Sequence, residues 1–169
     1  DNCSTEHTRL GVRGWLVGWN FARFCIWDAM RAIDYVETRR DLDCSKLGVC
    51  GTSGGGTLST YLQALDPRIK VAFPNCYVSS IQAVVEARGC HDAEQFFWNQ
   101  LKAGVNHAAM LAMGQPGVAF AIGSRWKDYF PHPGAEATFA VFTGMAAKLG
   151  FQGPYWHFSC DGPHGLPAP

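Results

Sequence analysis

The segment GVCGTSGGGTLSTYL, residues 48–62, constrains the fold of this chain more than any other. Apolar residues lead into a serine set among glycines, and an amphipathic run follows, so the segment reads as a tight strand-to-helix junction. Such a junction has three uses: to cradle a phosphate, to present a nucleophile, or only to turn the chain. Gly51 and Gly56 have P-loop spacing, but Thr57 stands where that motif needs Lys. A dinucleotide fingerprint starting at Gly54 and Gly56 meets Ser59 where a third glycine belongs. Gly51-Thr52-Ser53-Gly54-Gly55, in contrast, fits GxSxG, the nucleophile elbow. Its serine takes unfavourable backbone angles, and the positions two before and two after it are expected to pack too closely for side chains. The helix start and the Gly54 N–H would then face a developing oxyanion. The plain alternative is a glycine-rich turn carrying a solvated serine.

Helical and extended patterns alternate around this junction, with no internal repeat or low-complexity linker. Between Asn20 and Arg39, Ile26, Met30, Ile33 and Val36 recur at helical steps. Lys46 to Cys50 reads as a short buried strand. A helix with Leu58, Tyr61, Leu62 and Leu65 on one face follows and stops at Asp66-Pro67. Ile69 to Pro74 is a second strand, and residues 79–113 are mainly helix and loop. Gly117 to Ile122 is a third strand, residues 134–149 a helix closed by Gly150, and residues 154–159 a fourth strand. Strands separated by helices predict an α/β fold, a mostly parallel sheet in a three-layer sandwich, in one domain over 1–169. In such sheets chemistry gathers beyond the carboxyl ends of the strands.

Composition excludes several function classes. Lys plus Arg equals Asp plus Glu at 14 each, and no run of one sign occurs, which argues against nucleic acid as a partner. No apolar stretch approaches the roughly 20 residues that span a bilayer. The seven cysteines show no CxxC pair and no zinc-ligand spacing with the histidines, so no metal is expected. Their odd number leaves at least one thiol free or paired with another chain, and compartment stays open. Cys50 and Cys76 sit in apolar runs and are expected to be buried.

An elbow serine needs a base and an orienting acid, in the chain order Ser, Asp or Glu, His. Asp128 follows the third strand and His164 follows the fourth, both at carboxyl ends. His164 would take the Ser53 proton, and Asp128 would fix its tautomer and stabilise its charged form. Each role has rivals. Asp161 reads as a cap of the turn at Gly162-Pro163, His132 as a rim residue between prolines, and His157 as a packed strand residue. Asp92 and Glu94 read as a solvated helix start or as pocket lining, and His91 and His107 as surface residues. Tyr129 and Phe130 are candidate walls of a substrate pocket.

Four blocks in order, IWDAMRAIDYVETRRDLD, GVCGTSGGGTLSTYLQALDPRIKVAFPNCYVSS, KDYFPHPGA and DGPHG, resemble α/β-hydrolase esterases of the acetyl xylan esterase type. The likeness runs from about Glu6 to Pro167. It implies a Ser53, His164, Asp128 triad and hydrolysis of small acyl esters, commonly acetyl groups on carbohydrate, without metal or cofactor. A peptidase or dienelactone-type hydrolase on the same scaffold, and a catalytically weak fragment or assembly module, are the alternatives. The family's early strands, with the HGGG-type loop that gives a second oxyanion N–H, have no counterpart before Asn20, nor does its closing helix after His164. The strand holding Val49 is thus expected at an exposed edge, to be covered by a second copy or another chain.

Overall fold

The computed structural model describes residues 3–87, 89 and 91–166. Its elements run α1 (Cys3–Leu16), α2 (Ala22–Thr38), a 3₁₀ turn (Cys44–Lys46), β1 (Gly48–Thr52), α3 (Gly54–Leu65) and β2 (Val71–Asn75). Then come α4 (Ile81–Glu86), α5 (His107–Ala112), β3 (Ala119–Lys127), α6 (His132–Leu149) and β4 (Tyr155–Pro163). The four strands, the helices α2, α3 and α6 and the Gly150 stop fall where the periodicity puts them, with shifted ends. α1 has no counterpart in the sequence reading, and residues 91–106 are turns rather than helix.

All four strands are parallel, in the order β1-β2-β3-β4. A sheet wound in one direction by right-handed crossovers must carry every crossover helix on the same face. That face holds Val49, Ala72, Phe120, Ile122 and Tyr155, which pack with Val84 of α4, Ala108 and Leu111 of α5, and Phe142 and Ala146 of α6. α2 stacks outside α3 through Ile33 and Met30 against Leu58 and Leu62. Arg68 clips the two helices together: it pairs with Asp66 (2.6 Å) at the end of α3 and with Asp34 and Glu37 (2.7 Å each) of α2. Its hydrogen bonds hold the buried Asp66 carboxyl below the usual value.

The opposite face is bare. Val71 is 51% exposed, Trp156 49% and Phe158 57%. Of the three layers read from the sequence, the described residues therefore form two, the sheet and one helical layer. Cys50 lies on the bare face of edge strand β1 and is exposed, which corrects its expected burial; Cys76 is buried as expected. Cys25, Cys44, Cys50, Cys76 and Cys160 are free thiols. No helix among the described residues is long and apolar enough to cross a membrane.

Candidate active site

Ser53 occupies the single residue between β1 and α3, at φ 60° and ψ −120°, a conformation that L residues rarely adopt. Two contacts hold it there: its N–H donates to the Asn75 carbonyl (3.0 Å), and its own carbonyl accepts from Thr57 N–H (2.9 Å). A Cβ at Gly51 would overlap the backbone of Gly55, and one at Gly56 would press on the Asn75 carbonyl. Gly55 itself faces open space, so the second sterically required glycine is Gly56, three residues after the serine. Although Ser53 is the N-cap residue, its side chain makes no capping bond. A serine there for turning would spend its oxygen on the first free helix N–H groups. Here Oγ is uncommitted, and the Gly54 N–H, first in the helix, has no carbonyl four residues back to bond.

Asp128 and His164 meet. His164 Nδ1 donates to Asp128 Oδ1 at 2.7 Å, and the carboxylate side chain is fully buried. Asp128 Oδ1 also accepts from Phe130 N–H (3.0 Å), so the loop after β3 aims the acid. This bond leaves Nε2 of His164 as the basic nitrogen. Among the described residues no hydrogen bond joins Ser53 Oγ to His164.

β4 lies three strand positions from β1, so the histidine loop must lean back across the sheet toward Ser53. The residue after the histidine does the anchoring. The Gly165 carbonyl accepts from Arg125 Nε (3.1 Å), Asn75 Nδ2 (3.4 Å) and Cys76 Sγ (3.5 Å). Asn75 Nδ2 also donates to Thr52 Oγ1 (3.0 Å), the residue before Ser53. One side chain thus ties the strand that ends at Ser53 to the His164 loop. Arg125, 5% exposed, donates in addition to the Asp161 carbonyl (3.2 Å). Arg125 and Lys127 of β3 face Cys160 and Pro163 of β4, a bulge that turns the chain just ahead of His164. Sequence reading missed Asn75, Cys76 and Arg125, because nothing local marks a residue whose work is to hold a carbonyl 40 or more positions away.

The rivals sort differently. Asp161 caps its turn through Gly162 N–H (2.8 Å), as expected. His157 sits on β4 and is half-buried, also as expected. His132 is 2% exposed rather than at a rim; its Nδ1 lies 2.9 Å from Ser124 Oγ, which is 2.7 Å from His157 Nε2. His107 is fully buried rather than on the surface, its Nδ1 2.7 Å from the Ser79 carbonyl, and burial pushes it down to about 4. His91 is half-buried, and desolvation lowers it. Glu94 is no solvated helix start: it is 5% exposed and lies against Gly54, where an added Cβ would be 3.2 Å from its Oε1. Tyr129 (72% exposed) and Phe130 (5% exposed) flank His164, ring centroids 5.6 and 6.1 Å away. Phe130 is therefore chiefly core, packed edge-on to Tyr77, while Tyr129 stands free beside His164.

With this geometry in place, the likeness to known proteins is informative. No family model matches the chain. The glucuronoyl esterase of Solibacter usitatus superposes with a TM-score of 0.66 at 19% identity, over 86% of this chain and 45% of that one. An acetyl xylan esterase from Paenibacillus sp. R4 gives 0.55 at 22% identity over 86% and 47%. The acylaminoacyl peptidase of Pyrococcus horikoshii gives 0.61 at 11% over 83% and 23%. The fold is that of the α/β-hydrolases. In sequence, the chain is 39% identical over 51 residues to "Putative hydrolase YtaP" of Bacillus subtilis (strain 168), 30% of this chain and 17% of that protein. The chain spans less than half the length of the solved structures it matches.

Proposed function

We propose that this chain carries the nucleophile, base and acid of a serine carboxylic ester hydrolase acting on small acyl esters, acetyl above all, of carbohydrate or a similar alcohol. The observation that carries the reading is the 2.7 Å bond from His164 to the buried Asp128, delivered to the same sheet end as a strained, uncommitted Ser53. In the reaction, Ser53 Oγ attacks the ester carbonyl while His164 Nε2 takes its proton. The Gly54 N–H receives the oxyanion. Collapse of the tetrahedral intermediate breaks the bond to the alcohol, which leaves with the proton from His164. Water, deprotonated by the same nitrogen, then attacks the acyl-serine and frees the acid and Ser53. Tyr129 lines the approach. No metal or cofactor enters any step.

The esterases among the structural neighbours support an ester substrate, and the acylaminoacyl peptidase supports an amide as the second reading. Turnover of an aryl acetate against an aminoacyl anilide separates the two. A fluorophosphonate probe tests the nucleophile: labelling of the native chain and none of Ser53→Ala is expected. Equal labelling of both would sink the mechanism. The bare sheet face and the β1 edge are where a second copy or another chain would add, and sedimentation shows whether one does.

A further inference from the structure

Beside the elbow, but outside the Ser53, His164 and Asp128 group, three side chains converge without an evident structural purpose. His7 comes from α1, and Asp92 and Glu94 from the turns after α4. Their donor atoms, an imidazole nitrogen and two carboxylate oxygens, all lie within 4.8 Å of one another. Glu94 is 95% buried by its 5% exposure, and neither of its oxygens has a hydrogen-bond partner. His7 Nδ1 approaches Oε2 to 2.8 Å, close enough for an ion pair yet not aligned as a hydrogen bond. The carboxylate faces a cavity of about 110 Å³ whose wall includes His7, Gly54, Thr57 and Tyr61. Asp92, half-buried and outside that wall, brings a second carboxylate to the same imidazole, so one imidazolium cannot neutralise both. Buried charge of that kind is expensive unless it is paired or bound to a metal.

We propose that His7, Asp92 and Glu94 bind one divalent cation of the zinc class. One imidazole and two carboxylates are a three-ligand set that zinc completes with water, whereas magnesium and calcium favour sites built from oxygen alone. The site needs none of the residues of the proposed ester chemistry, so it stands or falls separately. It would fasten α1 to the turns after α4, which already touch where a Cβ on Gly11 would overlap Ala93. It would also neutralise a carboxylate that otherwise opposes negative charge at the Gly54 N–H. The sequence is silent on it because its ligands are a lone histidine and, 85 positions later, an Asp-x-Glu.

The test is equilibrium dialysis of the chelator-treated chain against Zn²⁺ and, in parallel, Mg²⁺, with thermal unfolding followed alongside. One Zn²⁺ per chain, a raised Tm, and much weaker retention of Mg²⁺ are expected. His7→Ala and Asp92→Asn should each weaken Zn²⁺ binding at least about 10-fold, the lower end of what losing even an outer partner costs. Asp92 is only half-buried, so that variant keeps the fold, verified by circular dichroism. Cys76→Ser controls for a rival group, since Cys76, Asp128 and His164 also bring donors within 4.8 Å. Three results would overturn the proposal: no stoichiometric Zn²⁺, binding lost in Cys76→Ser but kept in His7→Ala and Asp92→Asn, or equal retention of Mg²⁺.

Discussion

Two serine–histidine constellations stand out among the described residues, and the better hydrogen-bonded one is not the proposed active site. Ser124 touches two histidines, His132 at 2.9 Å and His157 at 2.7 Å, and Glu136 lies 3.3 Å from His132. On distances alone it looks the more complete triad. Ser53 has no bond to its histidine, yet it sits on strained backbone at the carboxyl end of the sheet, beside free helix N–H groups. Ser124 is 3% exposed within β3, with no such donors, and its hydroxyl is consumed by the buried His132 ring and the half-buried His157 ring. A serine whose bonds are all made is structural. Reactivity needs an oxygen that is placed and left unspent.

The comparison can be broken most severely by Ser53→Ala, which should lower ester turnover by something on the order of 10⁶. Ser124→Ala should leave turnover per folded molecule unchanged. Next, Asp128→Asn should drop kcat by about 10⁴, because the amide no longer selects the Nδ1–H tautomer. Its KM should stay near the native value.

The buried histidines give the third effect, read in stability. His107 falls from the usual 6.5 to about 4 because burial disfavours its charged form, and His157 is lowered for the same reason. Below pH 6.5 the unfolded chain takes the proton more readily than the folded one, so stability is complete above 6.5 and declines as pH falls toward 4. For His107 alone the loss is about 3 kcal/mol, at roughly 1.4 kcal/mol per unit. Denaturant titrations at pH 7 and pH 4.5 measure it, and His107→Gln should flatten the slope. Fourth, Ser124→Ala strands two ring nitrogens and should cost about 1–3 kcal/mol, seen as a lower urea midpoint. Smallest is Tyr129→Ala, which stands free beside the base; a rise in KM of a few fold with kcat nearly kept is expected for an aryl acetate.

How much of this was legible beforehand depended on whether the cause was local. Ser53, Gly51 and the Pro67 helix stop follow from short-range sterics, so the sequence carries them openly. Asp128 and His164 were readable because chain order and strand ends place them, not because anything near them declares a bond. Glu94 and His107 were misread as exposed: polar letters default to water, and only tertiary packing puts them inside. The bare face was not foreseen either. Alternating strands and helices look identical whether a sheet winds one way or both, and the position of the crossovers decides how many layers form.

One-way winding also places the proposed nucleophile and base on opposite edges of the sheet. Neighbouring strands are rotated by roughly 20–25°, and over the three strand pairs between β1 and β4 small changes in that rotation accumulate. The sheet thus works as a lever with Ser53 at one tip and His164 near the other, its slack taken up by the cords that end on the Gly165 carbonyl. Since a displacement of about 1 Å can cost 10²-fold in rate, whatever flattens or tightens the uncovered face would adjust the proposed reaction remotely, as a tuning peg sets a string it never plucks.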